Sequence, residues 1–404
     1  MSNNCCNNFN DPNFVEDHAI ETIEFYLPQC VDKEGGFYGG YLDDGTVYEA
    51  QTRDLVSTTR FILNFSFGNL ITDSDRYSEY LQHGLEFLIE SHKDEKNGGY
   101  HQTIEKDVPQ KSRKKMYGQA FVLCALSNAY KAGFTGVEKH IDEIFELTDE
   151  HFWESEHKLY AAEATNDFSR ILPYRGQNCN MHMVEALLAA YEATGKEKYL
   201  NRAYKVAKKI VIELSRQSDG KIWEHYNTDW KMEPDYNKED PNNLYRPYGF
   251  LPGHFTEWSK LLLILKRYRP DSWELDRSKS LFKKAIKYGW DEENRGLNYT
   301  FDFNGAVLND DKYYWVHAET IAAAYLLWHE TGQDSYLNWY KKIWDYSCEH
   351  LVDDRYGGWY RLVNNKGEPL SNKKSNPSKT GYHVIGACRE IAKTMRNRPQ
   401  TDQS

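Results

Sequence analysis

Along most of the chain apolar residues recur every three or four positions, the period of an amphipathic helix, and Phe255, Trp258, Leu261, Leu262 and Leu265 form one clear run. Read with that period, the pattern predicts helices near 13–28, 53–68, 74–92, 116–132, 136–152, 179–194, 197–216, 253–268, 273–289, 315–331, 335–350 and 381–396. Short turns such as Ala193-Thr194-Gly195 and Glu330-Thr331-Gly332 divide the members of a pair. What separates the pairs also repeats. A turn leading into an aromatic residue recurs as Gly35-Gly36-Phe37, Gly98-Gly99-Tyr100, Lys158-Leu159-Tyr160, Gly220-Lys221-Ile222-Trp223, Gly296-Leu297-Asn298-Tyr299 and Gly357-Gly358-Trp359. The aromatic positions lie 63, 60, 63, 76 and 60 residues apart, so a single unit fills the chain six times. Each signature opens a short alternating stretch, some with a turn of their own at Leu42-Asp43-Asp44-Gly45, Phe303-Asn304-Gly305 and Asn364-Asn365-Lys366-Gly367, which predicts small hairpins.

Six helix pairs without a strand-length apolar run predict an all-α fold, a single (α/α)6 barrel with an inner and an outer ring and short hairpin loops on one face. The barrel domain is expected over 13–396, behind a flexible leader (1–12) and before a polar tail (397–404). An open helical solenoid is the alternative, but the period exceeds common solenoid units and the extra length sits in loops, where a rigid scaffold carries its site. The spacing of 76 comes from the polar, proline-bearing insert Lys231–Tyr248, open to three readings: a lid, an oligomer contact such as a homodimer would use, or a tolerated surface loop.

Counting from each aromatic signature to the polar residue opening the next inner helix gives Arg60, Tyr117, His182, His254, Glu319 and His383, at offsets of 23, 17, 22, 31, 20 and 24. The offset of 31 contains the insert. If the inner helices share one direction, these six side chains converge on one rim, and three of the 14 histidines share that phase. An acid/base site is the reading that explains this; for any one histidine alone, capping or packing at a helix start would suffice. His254 follows Pro252-Gly253 directly, in the first turn of a helix with Glu257 three residues on. The helix dipole disfavours imidazolium there and Glu257 favours it, so titration near neutrality is expected. His182 and Glu185 repeat the H-x-x-E pattern. Di-iron bundles use the reverse order together with further carboxylates, so no metal is expected, and the glutamates are read as orienting and tuning their imidazoles.

Composition narrows the partners. At 404 residues with 40% hydrophobic content the chain can bury a large core, and its 30 Tyr and 11 Trp suit sugar-stacking clefts as well as cores. A net charge of -11 argues against nucleic acid or an anionic membrane. No apolar run approaches a membrane span, and Met1–Asn10 is polar without the apolar region of a secretory signal, so a soluble cytoplasmic protein is expected. Seven cysteines without a CxxC pair fit a reducing compartment, with Cys124, Cys348 and Cys388 as core residues and Cys5-Cys6 in the leader. The basic run Lys111–Lys115 reads as a solvated loop. Gly35–Gly40 is glycine-rich but leads into no helix, no phosphate-cradling loop is present, and no cofactor is expected.

Six short stretches, in order, match a known family: Thr59-Arg60 with Phe65-Ser66, Tyr117-Gly118-Gln119-Ala120-Phe121, Asn178 with Asn180-Met181-His182 and Glu185, Pro252-Gly253-His254 with Glu257-Trp258, Trp315 with Glu319, and Tyr382-His383. They run almost end to end, and the chain resembles the N-acylglucosamine 2-epimerase superfamily of (α/α)6-barrel sugar isomerases and epimerases, most closely its bacterial mannose isomerase branch. The resemblance implies a site lined by Arg60, Tyr117, Asn178, His182, His254, Glu257, Trp315, Glu319 and His383. Family members often carry Trp at 63 and an acid near 381, where this chain has Leu63 and Gly381.

The chemistry implied is proton abstraction beside the carbonyl of an opened sugar, through a cis-enediol(ate), by a base near neutral pH with donors for the developing oxyanion. His254 and His383 are expected as the acid/base pair, Glu257 as the group tuning His254, and His182 as an aid to ring opening. Arg60, Tyr117 and Asn178 are expected as donors, and Glu185, Trp315 and Glu319 as further sugar contacts. The expected reaction is D-mannose/D-fructose interconversion, with a mannose, N-acylglucosamine or cellobiose-type 2-epimerase as the alternative. An (α/α)6 glycoside hydrolase, which needs two carboxylates about a glycosidic bond, and a non-catalytic sugar-binding protein are remoter.

Overall fold

The computed structural model describes residues 8–106, 108–376 and 379–397. Twelve helices span them: α1 (Pro12–Glu24), α2 (Leu55–Thr72), α3 (Ser78–Phe87), α4 (Met116–Lys131), α5 (Glu138–His151), α6 (Gln177–Thr194), α7 (Glu197–Lys208), α8 (Pro252–Tyr268), α9 (Ser272–Gly289), α10 (Tyr314–Thr331), α11 (Asp334–His350) and α12 (Tyr382–Arg396). The even-numbered helices form an inner ring in which each packs on the next, and α12 returns to α2. That closure makes a barrel and rules out the open solenoid. Each odd-numbered helix backs an inner one, α1 lying against α12 across the seam.

Burial follows this layering. In α2 every residue from Leu55 to Asn69 is buried, as a helix enclosed on all sides requires. Outer α7 buries only Tyr199, Leu200, Ala203, Val206 and Ala207, one stripe at helical spacing. No helix of the described residues is long and apolar enough to cross a membrane. Phe9 is already packed, its ring 5.3 Å from that of Trp344, whereas Cys5 and Cys6 and the tail beyond Asn397 lie outside the described residues. Cys124 and Cys388 are core residues as expected, and Cys348 is only half-buried.

The connections at one end interlock. Gly40–Tyr41 pairs with Val47–Glu49, and Thr300–Phe301 with Val307–Asn309, around two of the anticipated turns. Elsewhere the two or three residues before an inner helix pair with the loop of the following repeat, as Lys114–Lys115 does with Glu163–Ala164 and Arg175–Gly176 with His225–Tyr226. An ion pair also recurs: an acid just before the glycine-aromatic signature binds a buried base in the segment leading into the inner helix. Asp32 pairs with Arg53, Asp94 with Lys114 at 2.8 Å, Glu154 with Arg175 at 2.6 Å, Asp291 with Lys312 at 3.0 Å and Asp353 with Lys374 at 2.5 Å. Each fixes the loop at which an inner helix starts, so helix N-termini and loops are held together at that end. Within the Lys111–Lys115 run, Lys111 and Arg113 are exposed as a solvated loop requires, but Lys114 is buried in an ion pair, against what its charge predicts. The fourth repeat, which carries the insert, shows no such pair among the described residues.

Candidate active site

All six inner helices present their first turns to the loop end, around a cleft of about 1270 Å³ open to solvent. Its walls include Val56 of α2, Tyr117 of α4, Asn178 and His182 of α6, His254 and Glu257 of α8, Trp315 of α10 and His383 of α12. The free N–H groups and dipoles of six helices thus face one space, which favours negative charge there. Loops add Asp54, Lys115, Glu163, Tyr174, Tyr299 and Lys379, and the insert supplies Leu244–Pro247. Arg246 anchors the insert by an ion pair with Glu163 and by lying 3.7 Å over the ring of Tyr174.

His254 sits where Pro252-Gly253 starts α8. A Cβ on Gly253 would come within 2.6 Å of the Trp315 ring, so glycine lets the indole close on the helix start beside His254, their rings 5.2 Å apart. The tautomer follows from the neighbours. Trp258 Nε1–H donates to Gln177 Oε1 at 2.7 Å, which turns the Gln177 amide nitrogen toward Glu224, 2.9 Å away. Glu224 Oε1 in turn lies 2.9 Å from His254 Nδ1. A carboxylate only accepts, so Nδ1 carries a proton toward Glu224 even though the Gln177 amide nitrogen also lies 3.1 Å away, and in the neutral tautomer the lone pair is on Nε2.

His383 repeats the arrangement from another side. Its Nδ1 donates to Glu319 Oε1 at 2.8 Å, and Glu319 Oε2 is 2.5 Å from Lys260 Nζ. Burial, with the charges of Arg60 and Lys379 adding to it, holds the His383 imidazole well below its ordinary pKa, so the ring is a neutral base. Burial works against the Lys260 charge, but Glu319, Glu185 and Glu257 outweigh it and push its pKa up. Gly381, where the family often has an acid, caps α12 with φ +73, a left-handed conformation that favours glycine. The rings of His254 and His383 lie 5.2 and 5.6 Å from that of Trp315, which makes the indole a shared wall.

Between them lies a third histidine. His182 Nδ1 donates to Glu185 at 2.9 Å and is 3.8 Å from Glu257 Oε1, and burial lowers its pKa to about 4. Burial tends to raise Glu185, but the His182 bond, the Lys260 charge and the Tyr382 hydroxyl hold it down at about 2. Glu257 is the opposite case: both its oxygens are buried without a hydrogen-bond partner. Burial and the neighbouring Glu319 raise its pKa well above the carboxylate range, so it faces the cleft as a neutral acid able to donate. Asn178 Oδ1 likewise has no protein partner. Lys379 lies 5.3 Å over the Trp315 ring, its pKa lowered to about 7 first by burial and then by the Arg60 charge.

Ligand atoms of His182, Glu185 and Glu257, and of Glu257, Glu319 and His383, fall within 4.8 Å of one another. The donor set does not fit a cation: both Nδ1 atoms already donate protons to carboxylates, and Lys260 neutralises Glu319.

Two expectations require correction. Glu257 does not pair with His254; the group at His254 Nδ1 is Glu224, because side chains three positions apart rise along the axis and Glu257 points inward to His182 while His254 meets the loop. Arg60, Glu185 and Glu319 are not on the cleft wall. Each sits three or four residues, about one turn of ~5 Å, below the residue of its own helix that is: Val56, His182 and Trp315. Arg60 acts from beneath, donating to Tyr117 Oη at 3.0 Å while its guanidinium stacks 4.5 and 4.8 Å from Phe121 and Tyr382. Sequence reasoning missed Gln177, Glu224, Lys260 and Lys379. For Glu224 a signal existed: the residues that follow the six signature aromatics are Tyr38, His101, Ala161, Glu224, Thr300 and Tyr360, with a single carboxylate among them.

The family model for N-acylglucosamine 2-epimerase (GlcNAc 2-epimerase) matches residues 36–387. The chain belongs to the N-acylglucosamine 2-epimerase family. This family member is 43% identical to a D-mannose isomerase of Marinomonas mediterranea over 96% of its own length and 98% of the relative's. A solved D-mannose isomerase structure superposes on it with TM-score 0.94 at 43% identity, covering 96% of this chain and 99% of that one. The cellobiose 2-epimerase of Bacillus thermoamylovorans shares the fold, with TM-score 0.84 at 21% identity over 95% of this chain and 100% of that one.

Proposed function

We propose that this family member is an aldose-ketose isomerase interconverting D-mannose and D-fructose without a cofactor. One observation carries the reading: two imidazoles, His254 and His383, each with Nδ1 held by a glutamate, share one cleft and one tryptophan wall. The similarity to D-mannose isomerases along nearly the whole chain supports the choice of sugar.

In this mechanism the open-chain sugar lies along Trp315. An imidazole Nε2 takes the C2 proton, the electron pair moves into a cis-enediolate, and the same face returns the proton to C1. Six helix N-termini and the Arg60-polarised Tyr117 hydroxyl stabilise the oxyanion. Glu257 donates to a sugar oxygen, and Asn178 Oδ1 accepts from a hydroxyl. His182 assists ring opening. The second imidazole removes the proton of the C2 hydroxyl through Nε2 while O1 is protonated by Glu257, so O1 ends as a hydroxyl and O2 as the ketone, and the proton returns to Glu257 before the next turnover. A cytoplasmic setting belongs to the same proposal, supported by the free thiols of Cys30, Cys124, Cys179, Cys348 and Cys388. A homodimer, supported by exposed Val307 and Leu308 on a hairpin, is tested by sedimentation.

Two bases on one cleft also fit C2 epimerisation, where they would flank the carbon from opposite faces. Incubating D-mannose in D2O and following products by NMR separates the two. Fructose first, with glucose late, is expected; glucose labelled at C2 with little fructose would replace the isomerase by an epimerase.

A further inference from the structure

The amine of Lys379 stands on the cleft wall, and proton transfer between C2 and C1 makes no use of it. Lys114, Lys260, Lys312 and Lys374 are buried, and each holds a carboxylate at 3.0 Å or less. Lys379 holds none among the described residues; its Nζ lies 5.3 Å over the Trp315 ring. Arg60 and Arg361 face it as cations, Glu257 and Glu319 as acids beyond ion-pair reach, and His383 as a neighbouring imidazole. Burial, then the two guanidiniums, work against its charge and hold its pKa at about 7. The rings of His254 and His383 flank the same indole, at 5.2 and 5.6 Å. The carbonyl carbon of an open-chain sugar lying between them is thus held beside an amine. Lys115, also on the walls, sits over Tyr245 of the insert instead.

We propose that Lys379 captures the aldehyde carbon of an open-chain aldose in the cleft as a reversible imine. The inference rests on the isomerase reading above, since ring opening in the cleft is what supplies the aldehyde. Nζ adds its lone pair to C1 and the carbonyl π pair goes to the oxygen. A proton moves from nitrogen to that oxygen, which gives a carbinolamine. The nitrogen lone pair then expels the hydroxyl, which takes the second nitrogen proton and leaves as water. Amine and aldehyde thus become imine and water, and water reverses every step. While the imine stands the cleft is filled and turns over no further sugar. A ketose, whose carbonyl carbon is more crowded, forms the adduct less readily. At pH 7.5 about three-quarters of such an amine is uncharged, against about one part in a thousand of an ordinary lysine.

The test incubates the full chain at about pH 7.5 with D-mannose and sodium cyanoborohydride, which reduces an imine to a stable amine. Peptide mass spectrometry then reads the reduced hexosyl group on each lysine. Lys379 is expected to label roughly tenfold or more faster than the exposed Lys96 and Lys283. Methyl α-D-mannopyranoside, an acetal locked in its ring, should slow labelling at Lys379 and leave Lys96 and Lys283 unaffected. Lys379→Arg should lose that label alone; where it does not fold, the competition on the parent decides. In a parent that converts mannose, labelling of Lys379 no faster than of the exposed lysines would overturn the proposal, as would a preference for Lys115. If the parent converts no mannose, the isomerase reading itself fails, and propanal, which needs no sugar site, then judges the amine. Preferential propanal label on Lys379 keeps the aldehyde-capturing lysine, and its absence removes it.

Discussion

His254 and His383 make the same bond, Nδ1–H to a glutamate, but in unlike surroundings. The glutamate of His254 comes from a loop and is held by a neutral amide, Gln177, itself oriented by an indole N–H. The glutamate of His383 comes from an inner helix and is held by a buried ammonium, with a cavity beyond it. One imidazole is positioned by hydrogen bonds of modest net worth, the other by charges whose separation is costly. The two proposed bases therefore rest on mounts that contribute unequally to stability.

The largest expected effect treats the two alike. His254→Ala and His383→Ala should each lower kcat by roughly a thousandfold, the usual size of a general acid/base contribution. A steady-state assay in which either variant keeps most of its rate would leave a single base. Stability should then separate them. Lys260→Met leaves Glu319 buried without its cation and is expected to lower the unfolding free energy by about 3–5 kcal/mol, whereas Gln177→Ala should cost about 1–3 kcal/mol. Equal denaturation midpoints for the two would remove the distinction. Glu224→Gln comes next, with kcat falling roughly tenfold to a hundredfold and KM little changed, since the amide can present the wrong hydrogen-bonding atom to Nδ1. A rise confined to KM would move Glu224 from positioning the imidazole to binding the sugar.

A further effect concerns acid. Burial holds His18, His92, His182 and His225 at about 4 and His317 at about 3, below the ordinary 6.5. With the folded pKa depressed below the unfolded one, the unfolded chain takes up protons first. The stability of the neutral rings is thus complete above about 6.5 and is lost as pH falls toward 4, by about 1.4 kcal/mol per pH unit for each imidazole. Thermal melting from neutral pH to 4.5 should show the decline, and a flat Tm would refute the burial of these rings in neutral form.

The same contrast explains what could be read from the sequence. Glu319 and His383 lie on inner helices, and counting from a repeated signature reached both, as it reached His182, His254 and Tyr117. The helix pairs and two hairpin turns were legible for the same reason, since period and turn chemistry are local. Glu224 precedes no helix and shares no inner-helix phase, so only its place after Trp223 distinguishes it. Depth was equally invisible: Arg60, Glu185 and Glu319 share a face with cleft residues yet lie a turn below them, and rank along an axis has no signature in spacing. Lys114 misled because a basic run reads as solvated until Asp94 is brought beside it.

The floor of the cleft holds Arg60 and Lys260 against Glu185 and Glu319, with Glu257 neutral above them. Moving a proton from a sugar carbon to an imidazole creates one positive and one negative charge inside that floor and changes its total by nothing. A reaction of this kind exchanges no net charge with the medium and draws an uncharged substrate, so added salt, which screens exposed charges beyond ~8–10 Å, has little to act on. Turnover should hold steady from dilute buffer to high ionic strength, a tolerance that follows from four side chains a turn or more below the reacting carbon.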